Sequence, residues 1–426
     1  MTILKTRPLS RRQFLRGSVA MSAAIAAQAA LPRWMPRLAF APDQQAARGD
    51  VLVSIFLRGG ADTLNMIVPH GEDAYYAARP RLAIPRPDDS SSPLTAIDLD
   101  GFFGLHPAMA SLQPIFQNGG IMAVHNTGSP HDTRSHFEAM DFMERGTPDD
   151  YSLPSGWIGR HLATLNSQND SPLRAIGWGA SMQASLRGSI SPVVLQSIID
   201  YHLAGDPAAA ARMMESLGSL YALETDSLAA SAEATRAAVD LLAQVGYQSY
   251  RPSNDAAYPD SEFGMALRQT AALIRADVGL EAACIDHGGW DTHVNQGGVE
   301  GQQARLMSDL AAGLAAFHAD LGDAMTGVTV VVMSEFGRRV QENGGRGTDH
   351  GHGGAMLLMN GELNPTPVTA RWVGLQPDVL DRGEDLPITI DYRDVLTEIL
   401  ATRLGNTSAA QVFPNHTASS VGLFRA

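Results

Sequence analysis

The chain has 426 residues, 44% of them hydrophobic and 18% charged, a balance that supports a sizeable buried core and excludes wholesale disorder. A formal net charge of −14 repels phosphate-rich polymers, so general affinity for nucleic acid or anionic membrane surfaces is excluded, while an anionic small substrate needs only local positive charge. The single cysteine, Cys284, rules out an internal disulfide and a cysteine-rich metal site, leaving oxygen and nitrogen as metal ligands.

At the N-terminus, Ser10 to Arg16 read SRRQFLR and lead into an alanine-rich, weakly apolar stretch from Val19 to Leu31. This pattern resembles a twin-arginine signal. The apolar stretch falls short of the roughly 20 residues a membrane span needs. Ala39 and Ala41 around Phe40 offer an A-x-A cleavage site, and Ala27 to Ala29 a second one. Residues 1–41 are therefore expected to be a removed leader. That implies the twin-arginine translocase as partner, a periplasmic or extracellular destination and no stable membrane anchor. The route carries folded cargo, which suits a protein that takes up a metal or cofactor before export.

In residues 42–426, short β-branched runs alternate with helical patterns: Val51 to Leu57, Ile121 to Val124, Leu280 to Ile285, Val328 to Met333 and Ala355 to Met359. This predicts one α/β domain with a mostly parallel central sheet and helices on both faces. Helices are predicted over Gly301 to Ala324, with a Leu306, Leu310, Leu314 and Phe317 stripe, and over Tyr392 to Leu404 with Asp391 as N-cap. Residues 206–246 are alanine-rich with helical periodicity and no strand signal, and read as an inserted helical hairpin or cap. Pro85 to Pro93 form a loop.

Polar clusters adjoin the predicted strands: RGGADTLN from Arg58, HNTGSPHDTRSH from His125, DHGGWDTHVN from Asp286, SEFGRR from Ser334 and TDHGHGG from Thr348. In open parallel sheets, ligands bind beyond the strands' carboxyl ends, so these clusters are expected to converge. Asp291 and His293, with Asp349, His350 and His352, are carboxylate and imidazole groups of the kind that bind zinc and similar ions. Two such groups far apart in sequence suit one or two ions, roughly 3.5–4 Å apart if two, that polarise an ester oxygen. Zinc is the first expectation, with manganese, calcium or iron as alternatives. Glu335, at a strand end, could ligate the metal or orient a histidine.

Ser135 and Glu138 have the spacing of a capping box for a helix over Phe137 to Arg145. The same position sets a hydroxyl at the positive end of a helix, where an anionic ester is attracted, so Ser135 is also a candidate nucleophile, with Thr127, Ser129 and Thr133 as competitors. Arg58, Arg134, Arg338 and Arg339 adjoin the clusters and could clamp a phosphate or sulfate. There is no G-x-S-x-G elbow, P-loop, H-E-x-x-H helix or G-x-G-x-x-G at a strand end.

With RGGADTLNMIVP, TRSHFEAMDFMERG, GGWDTH, SEFGRR and TDHGHGG in this order behind the leader, the chain resembles the bacterial family called domain of unknown function 1501. That family is grouped, on remote similarity, with the alkaline phosphatase and sulfatase-like superfamily. The resemblance implies an alkaline-phosphatase-like fold and hydrolysis or transfer of phosphate or sulfate esters with one or two metals. It further implies Asp62 as a ligand after the first strand, Ser135 as the hydroxyl at a helix start, and Asp291 with His293 as a ligand pair. The late ligands are either Glu335 with His350 or His352, or Asp349 with His350. The Asp291 and His293 spacing is tighter than the pair in metal phosphatases, and no cysteine near Ser135 offers a sulfatase-type nucleophile.

The functional expectation is an exported metal-dependent hydrolase of a phosphate or sulfate ester, with Ser135 attacking beside Arg134. Its metal would lie among Asp62, Asp291, His293, Glu335, Asp349, His350 and His352. The alternative is a non-catalytic exported binding or scaffolding protein on the same fold.

Overall fold

The computed structural model describes residues 50–165, 169–188, 191–199, 212–213, 216 and 226–425. The expected leader lies outside the described residues, as does most of the first half of the expected helical insert; its second half is one helix, Asp226–Val245.

A mixed, mostly parallel sheet runs through the centre. In chain order its strands are β1 (Val51–Leu57), β2 (Ile121–Gly128), β3 (Ala175–Trp178), β4 (Val193–Leu195), β5 (Ala282–His287), β6 (Val328–Ser334), β7 (Gly354–Met359), β8 (Val368–Thr369) and β9 (Ile390–Asp391). Among the described residues they lie in the order β8-β2-β7-β6-β1-β5-β3-β4, with β9 also on β2. Every pairing is parallel except those of β7, which runs antiparallel to both β2 and β6. A small antiparallel sheet, from Ile67–Val68, Ile97–Asp98 and Gly104–Leu105, stands apart.

Strand alternation explains how both faces are covered. On β1, Val53, Ile55 and Leu57 enter one core with Phe263, Leu310 and Phe317, while Leu52 and Phe56 enter another with Trp157, Leu162 and Leu396. The first core is covered by α3 (Glu262–Arg275) and α4 (Gln302–Leu321); the second is covered by α1 (His136–Arg145), α2 (Trp157–Thr164) and α5 (Tyr392–Thr402). Full burial of one such aliphatic side chain contributes roughly 1.5–3 kcal/mol, so a strand buried on both sides is fixed in register by the sum. The Asp391 cap forms as expected, its carboxylate accepting from the Arg393 amide at 2.8 Å. No helix among the described residues is long and apolar enough to cross a membrane.

The reversal of β7 matters for the site. The loops after β1, β2, β5 and β6 leave from one edge of the sheet, and because β7 is antiparallel, the loop that enters it lies at that same edge. TDHGHGG, which precedes a strand, thereby meets clusters that follow strands.

Candidate metal centre

Two glycines let the loops close on one another. Gly59, just past β1, has φ +120°, and a Cβ there would lie 2.5 Å from the Asp291 amide nitrogen. At Gly337, past β6, a Cβ would lie 1.9 Å from the Gly353 carbonyl oxygen. Arg338 then ties the layers together. Its fully buried guanidinium donates to the carbonyls of Gly59, Gly60, Trp290 and Thr348 and, at 2.7 Å, to Asp291 Oδ1. A buried guanidinium requires such a set of acceptors, so the loops after β1 and β5 and the loop entering β7 are held to the strand end of β6 by one side chain.

Three histidines converge on Asp291. His293 Nε2 lies 2.9 Å and His350 Nε2 3.2 Å from its Oδ1, and His136 Nε2 lies 3.5 Å from its Oδ2. The other ring nitrogen of each histidine faces an oxygen. His136 Nδ1 is 2.6 Å from Glu335 Oε1, His293 Nδ1 is 3.1 Å from Asp349 Oδ1, and His350 Nδ1 is 2.9 Å from the Arg134 carbonyl. Carboxylates and carbonyls only accept, so all three Nδ1 atoms are assigned as donors. In the neutral rings the Nε2 lone pairs therefore point at a carboxylate and at one another, with His293 Nε2 and His350 Nε2 2.9 Å apart. Acceptors facing acceptors need a shared proton or a cation between them. His136 Nε2 is buried without a hydrogen-bond partner. Ligand atoms of His136, Asp291 and His350 all lie within 4.8 Å of one another, a makeup that could hold a divalent ion.

The charges around the centre have physical causes that agree. Partial burial would raise the Asp291 carboxyl, but the hydrogen bond from Arg338 and the facing His350 ring outweigh it and hold the group down to about 2. The Glu335 hydrogen bond raises His136 above the ordinary histidine value, against its desolvation. Desolvation lowers His350, with the Asp291 bond opposing it. Asn343 donates to Asp349 and holds that carboxyl low.

The family model described as protein of unknown function, DUF1501, matches residues 50–401. The chain belongs to that family. No curated protein matches this DUF1501 member. Among solved structures it is similar to the C-terminal periplasmic domain of EcEptC from Escherichia coli. To that domain's complex with Zn it is 11% identical over 76% of this chain and 77% of the other, with a TM-score of 0.33. To a second structure of the domain it is 12% identical over 90% and 92%, with a TM-score of 0.37.

Of the residues singled out from sequence, Asp291, His293, Asp349, His350 and Glu335 come together in this DUF1501 protein. Glu335, 1% exposed, reaches His136 and the Gly59 amide, which is the orienting contact rather than a place among the clustered ligand atoms. Two residues lie apart. Asp62 is fully buried and bonded through both carboxylate oxygens to Arg79, an ion pair that occupies the lone pairs a metal would need. His352 has both ring nitrogens engaged, with Asp381 and with the Ser129 carbonyl.

The expected anion clamp is also accounted for otherwise. Arg58 pairs with Glu144 and Asp286, Arg134 with Asp385, Arg338 with Asp291, and Arg339 with Glu384. Ser135 occupies the N-cap position of α1, but its hydroxyl makes no cap bond, and Glu138 turns to Thr133 and Tyr151, so the capping box does not form. His136 is not among the ligands expected from sequence, although it directly follows Ser135. Its signal was its place in the HNTGSPHDTRSH cluster, directly after the candidate nucleophile.

Proposed function

We propose that the chain is an exported metal-dependent hydrolase of a phosphate or sulfate ester. The carrying observation is that three imidazoles, each with its Nδ1 proton committed to an oxygen, aim their Nε2 lone pairs at one carboxylate. His136, His350 and Asp291, whose ligand atoms lie within 4.8 Å of one another, would hold the ion with His293 beside them, and a donor set of two imidazoles and one carboxylate favours zinc, with manganese or iron next; calcium, which takes oxygen ligands, fits poorly. When bound, such an ion supplies positive charge that polarises an ester oxygen and stabilises negative charge in the transition state. One cluster, His136 with Asp291 and His350, brings its ligand atoms together among the described residues, so the reading is of one ion.

Ser135 is the nucleophile in this reading. It is exposed, one residue before His136, at the N-terminus of α1, where the helix favours an anion. Its competitors are engaged: Thr127 Oγ1 with the Val124 carbonyl, Ser129 Oγ with the His131 amide, and Thr133 Oγ1 with Glu138. Arg134 contributes through its carbonyl, which orients His350. The test is elemental mass spectrometry of the exported wild type beside a panel of phosphate and sulfate esters. In Ser135→Ala, turnover is expected to fall at least about 100-fold with metal content unchanged; retained turnover removes Ser135 as nucleophile.

One observation favours a second reading, a non-catalytic exported binding or scaffolding protein: the four arginines beside the centre are each neutralised by a carboxylate. Stoichiometric metal without turnover on any ester supports that reading.

A further inference from the structure

Beneath the centre lies a fully buried polar chain that the proposed chemistry does not use. Asp62 accepts from Arg79 Nη1 at 2.9 and 2.7 Å and from Gln296 Nε2 at 2.6 Å. Because a carboxylate only accepts, the Gln296 amide is oriented with its Nε2 toward Asp62 and its Oε1 away from it. That Oε1 accepts from Thr348 Oγ1 at 2.7 Å and from Thr292 Oγ1 at 3.2 Å. Thr292 stands between Asp291 and His293, and Thr348 stands two residues before His350. One amide oxygen thus joins the two loops that carry the converging ligands. Asp62, Gln296 and Thr348 are each at most 1% exposed, so water cannot replace these bonds.

We propose that Asp62 is a positioning residue that, through the orientation of Gln296, sets the spacing between the Asp291–His293 loop and the His350 loop. The inference rests on the metal-centre reading above. Arg79 gives the anchor its rigidity, since it also donates to the carbonyls of Arg339 and Val340 beyond β6. Asp62 thereby acts on the centre at one remove, as the partner of a partner of the ligand loops. An aspartate in that place is sound chemistry without being a ligand: a charged acceptor fixes an amide more firmly than a neutral one.

Replacing Asp62 strands the Arg79 charge and endangers folding, so the test uses Gln296→Leu, which leaves the ion pair in place. Zinc affinity is measured by chelator competition, and the visible spectrum of the cobalt(II)-loaded protein reports the ligand arrangement. Gln296→Leu is expected to bind zinc roughly 10–100-fold more weakly and to shift the cobalt spectrum. Thr329→Val, which loosens a polar network at the opposite end of β6, is expected to lower the melting temperature while leaving the spectrum unchanged. If Gln296→Leu fails to fold, Thr348→Val removes one hydroxyl from the same amide and is expected to shift affinity in the same direction by less. Wild-type affinity and spectrum in the folded variant overturn the positioning role and leave the metal reading standing. A wild type that takes up neither zinc nor cobalt overturns both.

Discussion

The two ends of β1 are both dense in charge, yet they are satisfied to different degrees. At its start, Asp50 accepts from Thr329, Asn360 and both sides of the Arg403 fork, at 2.7 to 3.0 Å, so acceptors meet donors throughout. Beyond its end, the Nε2 atoms of three histidines face a carboxylate and each other. A satisfied buried network is what stability asks for. A convergent set of lone pairs, held in place by an outer layer of hydrogen bonds, is what a cation asks for, and in the proposed function that contrast separates the working end of the sheet from the structural one.

Exchanging the two ends by mutation gives the largest expected effect. His350→Ala is expected to cut bound metal at least tenfold by elemental analysis while the melting temperature stays within a few degrees, because a partly exposed imidazole strands no buried charge when it is removed. Asp50→Ala is expected to do the reverse, costing roughly 3 kcal/mol in denaturant titration by leaving Arg403 without its partner, with metal content unchanged. Stability lost in the first or metal lost in the second would erase the contrast.

A smaller effect separates a ligand from its orienting group. Glu335→Gln is expected to weaken metal binding roughly tenfold, as for other outer-shell changes, since a carboxamide holds His136 Nδ1–H less strongly. An effect as large as that of His350→Ala would instead make Glu335 a ligand.

A separate effect concerns histidines away from the centre. Burial pushes His125 and His161 down to about 4 from 6.5, His161 with added repulsion from Arg174. The unfolded chain therefore takes up these protons first, so stability is full above about pH 6.5 and falls as pH drops toward 4, by an amount on the order of a few kcal/mol. Denaturant titrations at steps of pH should show this decline, and His161→Gln should flatten part of it. A decline unaltered in that variant would assign the pH dependence elsewhere.

Much of the fold was legible because β-branched runs and helical stripes are local signals. β1 was read to its residue, and the helix expected over Gly301 to Ala324 is Gln302–Leu321. β2 runs on to Gly128, past the predicted Val124, because His125, Asn126 and Thr127 look polar in sequence while the sheet buries them. β3 and β4 are short and were not seen, and the reversal of β7 leaves no local trace. At the site, residue types pointed to the right loops, but which carboxylate faces solvent and which faces an arginine depends on contacts between residues far apart, as Asp62 and Arg79 show. His136 needed the partner Glu335, 199 positions away, to stand out.

The antiparallel strand has a consequence for how the protein is made. The ligand positions run from 136 to 350, and the last of them reaches the others only when β7 inserts between β2 and β6. Pairings of such long sequence separation are slow to form. Under the proposed function, a place for the ion exists only after these distant strands have paired, so metal uptake would report that this part of the sheet has been assembled.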